Sequence, residues 1–377
     1  MSAPRVAVIG SGVAGASTAF ALAAGGAEVV VVDSVLRGQA TAAGAGIIQP
    51  WSSSVDGPTY DLYAAGAAYY PELLERLAVV GVSDIGYRVT GSLVVHADPG
   101  QLDDVEERLR RRTAGVAVAG TVERLGERDA RALFPPLAPA LAAVFVSGGA
   151  RVDGRRLRSG LLTGARQLGA VVVDAPARLV PAAAGSWAVH TPGGEIGADV
   201  AVVASGAWVN SVLEPLNYQL AIEPQRGQIA HLLLEGSDTA NWPSVLPPAS
   251  HYIVSFDAGR IVVGATRETG SGFDARITAG GMLEVLSNAL SVAPGLASAS
   301  LIETRVGLRP LAIRHGPFLG PVSGLPNLFV NTGFGPAGLT MAPVAGETLA
   351  QLVLTGSCNV DLSPFAPPER VGKPSRN

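Results

Sequence analysis

The sequence has little of what marks several large classes of protein. Its 377 residues include one cysteine, Cys358, which cannot form an internal disulfide and is interpreted as structural or incidental rather than catalytic. A chain without a disulfide framework fits a reducing compartment, so a cytoplasmic location is predicted. Only 15% of the residues are charged and the net charge is −4, which argues against a nucleic-acid partner.

Long uncharged apolar segments are also scarce. The run at residues 6–27 follows Arg5 and resembles a signal peptide or a membrane span. Its glycine spacing and the strand that adjoins it favour a soluble interpretation instead. No other run has the length and character of a span, so no integral membrane segment is predicted. Peripheral membrane contact and the oligomeric state, a homo-oligomer included, stay open.

Apolar residues and glycine are abundant. The chain is 48% hydrophobic and contains 47 glycines, a composition typical of a compact α/β enzyme rather than a disordered chain. Its length is sufficient for two domains and a large core.

A glycine motif near the start organises the rest of the chain. An apolar strand at 6–9 is followed by Gly10, Gly12 and Gly15, in the spacing G-x-G-x-x-G, and by a predicted helix at 14–24. Gly10 permits a tight turn, Gly12 lets a pyrophosphate approach the backbone, and Gly15 lets helix and strand pack closely. The helix N-terminus presents unpaired N–H groups to phosphate. This arrangement predicts a dinucleotide site.

An acidic residue completes the motif. A second strand at 28–32 ends at Asp33, 23 positions after Gly10, where a carboxylate can bind the ribose hydroxyls of an adenosine. The same carboxylate disfavours a 2′-phosphate, so NADP is not expected. A small, glycine-rich stretch at 34–50 follows, in which Arg37 and Thr41 could bind phosphate and Gln49 could face a ring system. The alternative for this stretch is a flexible surface loop.

The middle of the chain contains a charged helix and a region rich in strands. Residues 101–112 predict a helix whose acid–arginine pairs four residues apart, Asp104 and Arg108 among them, indicate a solvated face rather than a binding patch. Residues 215–305 lack the alternation of strands and helices, and predict a second domain on an antiparallel sheet. A buried strand at 199–204 leads into a small-residue turn, and residues 327–342 form a second strand–glycine–helix unit.

These motifs together resemble the FAD-dependent amine and amino-acid oxidoreductases of the D-amino-acid oxidase, glycine oxidase and sarcosine oxidase group. The stretches that carry the resemblance, in the order of that family, are GSGVAG at 10–15 with Asp33, AAGAGIIQP at 42–50, VVASGAW at 202–208, RGQI at 226–229, HYIVSF and GRIVVGATRE within 251–268, GLRP at 307–310, and NTGFGPAGLTMAP at 331–343.

The resemblance implies an α/β fold with a Rossmann-like FAD-binding domain and a substrate domain built on a mostly antiparallel sheet. The predicted FAD-binding domain comprises residues 1–80, 145–215 and 305–360. The predicted substrate domain comprises 81–144 and 216–304, and residues 361–377 form a tail that is expected to fray after Leu362.

The resemblance also implies a cofactor site that holds FAD non-covalently, because no cysteine or histidine is suitably placed for a covalent link. A metal site is not predicted. The residues expected to contact FAD are Gly10, Gly12, Val13, Ala14, Gly15, Asp33, Ser34, Arg37, Thr41, Ala42, Ala43, Gly46, Ile47, Arg178, Gly206, Trp208, Arg309, Gly335, Pro336, Ala337, Gly338, Leu339 and Thr340.

For the substrate, the resemblance assigns Arg309 to a carboxylate and Tyr252 to the support of that carboxylate or to the pocket wall. Gln49, Trp51, Phe334 and Pro336 are the further predicted pocket residues. Many members of the family carry histidine and arginine where this chain has Phe334 and Pro336. A second basic contact therefore looks absent, which puts glycine in doubt and favours a more apolar substrate or amine substituent.

The predicted reaction is oxidation of the C–N bond of a small amino acid, either a D-amino acid or an N-substituted glycine. The hydride would pass to flavin N5, water would hydrolyse the imine, and O2 would reoxidise the flavin to give H2O2. Two alternatives remain at this stage: a dehydrogenase that passes electrons to a quinone or other carrier, and a non-catalytic FAD-binding subunit of a larger complex.

Overall fold

The computed structural model describes residues 3–247, 249, 251–313 and 316–369. It contains two large β-sheets with helices packed on them. The α-helices in the described residues are α1 (Val13–Ala24), α2 (Gly57–Val79), α3 (Pro99–Thr113), α4 (Glu127–Leu133), α5 (Gly154–Gln167), α6 (Val209–Leu213), α7 (Ala279–Val292) and α8 (Gly338–Thr355).

The β-strands in the same residues are β1 (Arg5–Ile9), β2 (Glu28–Asp33), β3 (Ile47–Ile48), β4 (Arg88–Val89), β5 (Ser92–His96), β6 (Val122–Leu125), β7 (Ala142–Val146), β8 (Ala150–Arg151), β9 (Val171–Asp174), β10 (Arg178–Pro181), β11 (Trp187–Thr191), β12 (Gly194–Ala198), β13 (Val200–Val203), β14 (Ile222–Leu233), β15 (Ser244–Leu246), β16 (Tyr252–Ser255), β17 (Arg260–Gly264), β18 (Ser300–Ala312), β19 (Phe318–Pro321) and β20 (Leu328–Thr332).

The first sheet has the strand order β19-β20-β13-β1-β2-β9, and every neighbouring pair is parallel except β19 with β20. Strands β2 and β9 extend the sheet on one side of β1, and β13 and β20 extend it on the other. The strand order therefore reverses between β1 and β13. Open α/β sheets bind ligands outside the carboxyl ends of their strands at such a switch point. The predicted strand–glycine–helix–strand unit is confirmed, with α1 beginning at Val13.

Helices α1, α2, α5 and α8 cover one face of this sheet and form one large apolar core with it. The start of α8 is held by α2, because the Tyr70 hydroxyl donates to the carbonyl of Leu339 at 2.5 Å. A Cβ at Gly66 of α2 would lie 2.3 Å from the carbonyl of Thr340, so the two helices approach as closely as glycine allows. The N-terminus of α8 is thereby fixed in position.

The second sheet has the order β18-β14-β17-β16-β15-β5-β7-β6, antiparallel throughout except for the parallel pair β15 and β5. Its length comes from β14 and β18, which pair from Ile222 with Ala312 to Leu233 with Ser300. The predicted α/β fold class with a mostly antiparallel second sheet is confirmed. The predicted domain boundaries remain predictions, and the one at 304/305 falls inside β18.

Two local predictions are corrected. Residues 87–96 (YRVTGSLVVH) alternate as in a strand and predict a single one, but it is interrupted at Gly91, whose φ of +79° separates β4 from β5. The tail does not fray as far as residue 369, because Phe365 is 3% exposed and the carbonyl of Pro368 accepts a hydrogen bond from Tyr218. The rest of the predicted tail, residues 370–377, lies outside the described residues.

A second apolar segment of spanning length is present, contrary to expectation. Within the described part of the chain, the helical segment Gly335–Thr355 is long and apolar enough to cross a membrane, and 50% of it is buried inside the molecule. Many of its side chains pack in the core, including Met341, Ala345 and Leu349. The core helix of a globular protein gives the same pattern, so the segment is weak evidence for a membrane span.

Candidate active site

A cavity of about 1050 Å³ lies between the two sheets. Its walls are the turns after β1, β2 and β13, the loop between β2 and α2, one end of β18, and the turn that leads into α8. Ligand cavities of this kind are commonly 300–1,000 Å³, so this one can hold an extended cofactor as well as a small substrate.

The glycine motif forms one end of the cavity. Gly10 has a φ of +104°, and a Cβ there would lie 2.6 Å from the carbonyl of Ala204. A Cβ at Gly15 would lie 1.9 Å from the carbonyl of Gly10, so α1 could not approach the turn. Gly12 lines the cavity, and the Thr41 hydroxyl accepts a hydrogen bond from the N–H of Val13 at 2.9 Å. The first turn of α1 therefore faces the cavity beside Thr41.

Asp33 lies at the same end, at the carboxyl terminus of β2. Its Oδ2 accepts from the backbone N–H of Ser11 at 3.0 Å, and its Oδ1 accepts from that of Ser34 at 2.9 Å. Arg158 of α5 was not predicted here, yet its Nε donates to the carbonyl of Ser11 at 2.6 Å. Helix α5 contains four arginines, and no local pattern distinguishes the one that contacts this turn.

The opposite end of the cavity is built from small residues and the start of α8. Gly46 has a φ of +90°, and a Cβ there would lie 1.8 Å from the carbonyl of Val152. The Thr340 hydroxyl donates to the carbonyl of Ile47 at 3.2 Å and interacts with the hydroxyl of Tyr63. Burial raises the pKa of Tyr63 to about 12. Residues 59–77 have an apolar stripe at helical spacing that includes Tyr63 and predicts a core position for it, but Tyr63 lines the cavity.

Several buried polar atoms of the lining have no hydrogen-bond partner among the described residues. They are Gln49 Nε2, Ser53 Oγ, Ser205 Oγ and Asn331 Oδ1. Buried polar groups are normally hydrogen-bonded, so these atoms indicate a polar ligand rather than a dry apolar one. Together with the glycine turns and the two helix N-termini, they fit a dinucleotide such as FAD.

Arg309 of β18 points into the cavity. Its guanidinium donates to the carbonyl of Thr266 at 3.0 Å and to Gln225 Oε1 at 3.4 Å, and it hydrogen-bonds the hydroxyl of Tyr252. Burial lowers the pKa of Arg309 and raises that of Tyr252, which stays neutral at physiological pH. Among the described residues no carboxylate forms an ion pair with Arg309, so its charge is available to an acidic ligand.

A partly buried ionic network fixes the strand end that holds Arg309. Arg226 donates to Glu268 Oε2 through Nε and Nη2, at 3.0 and 2.6 Å. Glu268 Oε1 accepts from Gln228 Nε2 and from the Thr266 hydroxyl, both at 2.7 Å. Because Thr266 is tied down by this network, its carbonyl is held in place for Arg309.

Two further arginines line the cavity, and neither was predicted to do so. Arg267 follows Thr266 and is close enough to Arg309 to lower its pKa further. Arg108 of α3 was expected on a solvated face, paired with Asp104, but it lines the cavity and forms no ion pair among the described residues. Two basic side chains besides Arg309 are therefore present in the lining, and the expectation that the substrate lacks a second basic contact stays a prediction. Arg108 and Arg267 are far in sequence from the turn before α8, where many family members carry the second basic residue.

Most of the predicted site residues line the cavity. They are Gly10, Gly12, Val13, Ala14, Asp33, Ser34, Thr41, Ala43, Gly46, Ile47, Gln49, Gly206, Trp208, Tyr252, Arg309, Phe334, Gly335, Pro336, Ala337, Gly338, Leu339 and Thr340. Gly15 lies behind the lining, where it lets α1 pack against the turn. That these residues contact cofactor or substrate remains a prediction.

Besides Gly15, four predicted residues lie outside the lining. Trp51 is 1% exposed in the apolar core. Arg37 is exposed at the surface. Arg178 is exposed and lies 3.3 Å from His190 Nδ1. Ala42 is not part of the lining, and its carbonyl accepts from Arg305 at 3.2 Å. Closeness in sequence to a predicted motif therefore does not place a side chain in the cavity lining.

Comparison with known proteins gives matches along nearly the whole chain. A family model described as FAD dependent oxidoreductase (DAO) matches residues 5–352. The crystal structure of iminodiacetate oxidase from Chelativorans sp. BNC1 is 44% identical, with a TM-score of 0.94, and the match covers 98% of this chain and 100% of that one. Glycine oxidase from Geobacillus kaustophilus gives a TM-score of 0.86 at 26% identity, over 98% and 100% of the two chains.

Curated sequences give the same result. The chain is 30% identical to glycine oxidase of Pseudomonas putida, over 98% of this chain and 99% of that protein. It is 43% identical to the oxidoreductase YurR of Bacillus subtilis strain 168, over 96% and 97% of the two sequences.

Proposed function

The chain belongs to the DAO family of FAD-dependent oxidoreductases, and from that premise we propose that it oxidises the C–N bond of a small amino acid, with an N-substituted glycine as the preferred class. The 44% identity to an iminodiacetate oxidase supports an N-substituted substrate over a simple D-amino acid. The family membership confirms the resemblance seen in the motifs and makes FAD the cofactor.

One observation carries the substrate assignment. Arg309 presents a buried guanidinium to the cavity with a neutral tyrosine beside it and no acidic partner among the described residues. An unpaired buried charge is strongly unfavourable, and a carboxylate held by two parallel N–H donors relieves it. An amino-acid carboxylate on Arg309 would be fixed in direction as well as in position.

The cofactor would lie along the rest of the cavity. The turn of Gly10 to Val13 and the N-terminus of α1 would hold the pyrophosphate, and Asp33 would hold the adenosine ribose. The loop at 41–47 and Gly206 would contact the ribityl chain and the ring. The N-terminus of α8 would stabilise negative charge on the reduced ring. We propose non-covalent binding, since the described lining contains no cysteine.

The bound FAD would supply the oxidant, taking a hydride from the substrate carbon at N5 and passing the electrons to O2 with formation of H2O2. Arg309 and Tyr252 would hold the substrate carboxylate and so fix the orientation of the carbon that loses the hydride. Burial raises the pKa of Tyr252 and lowers that of His251, the one histidine of the described lining, so both side chains are neutral near pH 7. The amine enters neutral, and water hydrolyses the imine.

The test is the visible spectrum of the purified holoenzyme without oxygen, with substrates added singly. We expect N-methylglycine and iminodiacetate to bleach the flavin band, and glycine and the alanine enantiomers to bleach it far more slowly. Air should restore the colour within seconds. A slow return that a quinone accelerates would favour a dehydrogenase. A flavin that no amino acid bleaches would contradict the proposal and favour a non-catalytic subunit.

We also propose a cytoplasmic location for the protein, because a chain with a single cysteine fits a reducing compartment.

A further inference from the structure

Two arginines one turn apart on α3 differ sharply in their surroundings. Arg108 and Arg112 are separated by four residues, so they lie on the same side of the helix. That side faces the segment at 51–56, whose Ser53 and Val55 line the cavity. The contrast between the two side chains points to different roles.

Arg112 is satisfied by the protein itself. Its guanidinium donates to the carbonyls of Trp51, Ser53 and Val55 at 3.2, 2.6 and 2.7 Å, and its side chain is 8% exposed. It also reaches the carboxylate of Asp56. Arg112 therefore fixes the segment at 51–56 against α3.

Arg108 has no such partners. In the part of the chain that the structure describes it forms no hydrogen bond or ion pair, and its Nε is buried. The Ser53 hydroxyl, on the segment that Arg112 fixes, is likewise buried without a partner. Both side chains line the cavity. A guanidinium without acceptors and an unsatisfied hydroxyl, both in the lining of one cavity, are suited to an anion.

The charges around the cavity favour the same ligand. Its described lining contains one carboxylate, Asp33, which is already held by Ser11 and Ser34 at the glycine-motif end. Against it stand Arg108, Arg267 and Arg309, all without an acidic partner among the described residues. One substrate carboxylate leaves this end strongly positive.

We propose that Arg108, with Ser53, forms a second anionic subsite that binds a second carboxylate of the substrate. The inference rests on the proposed function, which places the first carboxylate on Arg309. The Arg309 guanidinium contacts Tyr252 on β16, and β5, against which α3 packs, is two strands further on. Those two strands are therefore offset by roughly 10 Å, and both long side chains line the same cavity. A dicarboxylate of five backbone atoms with a charged hydrogen bond at each end has a length of that order.

The test uses ligands that bind but cannot react. Diglycolate and methoxyacetate have an ether oxygen in place of the nitrogen of iminodiacetate and N-methylglycine, so they contain no C–N bond. Their dissociation constants are measured on the holoenzyme by the perturbation of the flavin absorption band. We expect the native protein to bind diglycolate at least tenfold more tightly than methoxyacetate.

Arg108→Met should remove most of that preference, because it keeps the apolar stem and deletes the guanidinium. Loss of a charged hydrogen bond should weaken the binding of diglycolate by about tenfold to hundredfold. Arg108→Lys should recover part of it. Arg111→Met is the matched control, since Arg111 points to solvent beside Glu107 on the same helix and should leave both constants unchanged.

Two results would overturn the subsite: a native protein that does not prefer diglycolate, or an Arg108→Met variant that weakens both ligands equally or neither. Turnover of iminodiacetate and of the two aspartate enantiomers by the same variants then shows whether the second carboxylate belongs to the N-substituent or to the side chain. Failure of every amine to bleach the flavin would contradict the proposed function and leave the ether-binding result to decide the subsite.

Discussion

Gly227 of β14 lies under the guanidinium of Arg309, and its replacement by alanine is a sharp test of the substrate site. A Cβ at Gly227 would lie 2.3 Å from Arg309 Nη2 and 2.5 Å from both Nη1 and Cζ. Ordinary contact begins near 3.4 Å. The guanidinium must therefore move by about 1 Å from the position in which it donates to the carbonyl of Thr266 and contacts Tyr252.

The strand itself should tolerate the change. Gly227 pairs with Gly307 in the regular antiparallel ladder, and its φ is not in the left-handed region. The atoms that must yield are the far end of a flexible side chain rather than backbone. Alanine in a strand is as favourable as glycine or better. We expect the melting temperature and the FAD content to stay at native values.

Catalysis should not tolerate it. A displacement of about 1 Å in a positioning group reduces the rate by about a hundredfold, which corresponds to about 2.7 kcal/mol of transition-state stabilisation. The assay is kcat/KM with N-methylglycine, together with the FAD-to-protein absorbance ratio and a thermal melt. Gly197→Ala on β12 is the control, because no atom lies within 4 Å of its Cβ.

A double-mutant cycle decides whether the effect acts through Arg309. In an Arg309→Met background, Gly227→Ala should have almost no further effect, since the side chain it displaces is already gone. An equal loss in both backgrounds would refute the reasoning, as would a Gly227→Ala variant with native kinetics.

Three further predictions follow from the structure. Arg309→Ala should raise KM by about a hundredfold or more while FAD stays bound, and near-native turnover at ordinary substrate levels would contradict the carboxylate assignment. Gly15→Ala should abolish FAD retention and lower the melting temperature, because its Cβ would lie 1.9 Å from the carbonyl of Gly10. The helical control Gly280→Ala has open space around its Cβ and should slightly stabilise the protein. His231 should make the protein acid-sensitive, as urea unfolding of the native protein and of His231→Gln at pH 7.5 and 4.5 would measure.

The sign of the His231 prediction follows from its surroundings. His231 is 2% exposed, and burial, with Arg305 next in importance, lowers its pKa from 6.5 to about 4. The neutral ring is the form that folds, so its contribution to stability is present above pH 6.5 and is lost as the pH falls towards 4. The shift corresponds to about 3 kcal/mol. Equal pH dependence in His231→Gln would contradict this account.

Local chemistry made the cofactor end predictable from the sequence. Gly10, Gly12 and Gly15 have fixed roles because the strand, turn and helix they join are contiguous, and Asp33 ends the next strand. Assigning these roles requires no knowledge of contacts between distant parts of the chain. The same holds for the turn before α8, where the glycines and the helix that follows lie in one short segment.

The substrate end depends on contacts between distant parts of the chain. The acid–arginine spacing in α3 predicted a solvated face, and the Glu106–Arg110 pair at 2.7 Å agrees with it. Arg108 differs because the segment at 51–56 packs against its side of the helix, which no local pattern records. Trp51 was misplaced for the converse reason: it follows the predicted ring-facing Gln49 but turns into the core.

One strand joins the two ends of the active site. The N–H of Leu308 donates to the carbonyl of Gly38 in the cofactor loop at 2.8 Å, and Leu311 bridges to Phe334 in the turn before α8. Arg309 lies between these two attachments, so the proposed carboxylate anchor and the loops proposed to contact the flavin share one rigid frame. The cavity thus fixes the distance, and with it the number of bonds, between the carboxyl group of a substrate and the carbon that is oxidised. A β-amino acid, longer by one C–C bond of about 1.5 Å, would present the wrong carbon to the flavin.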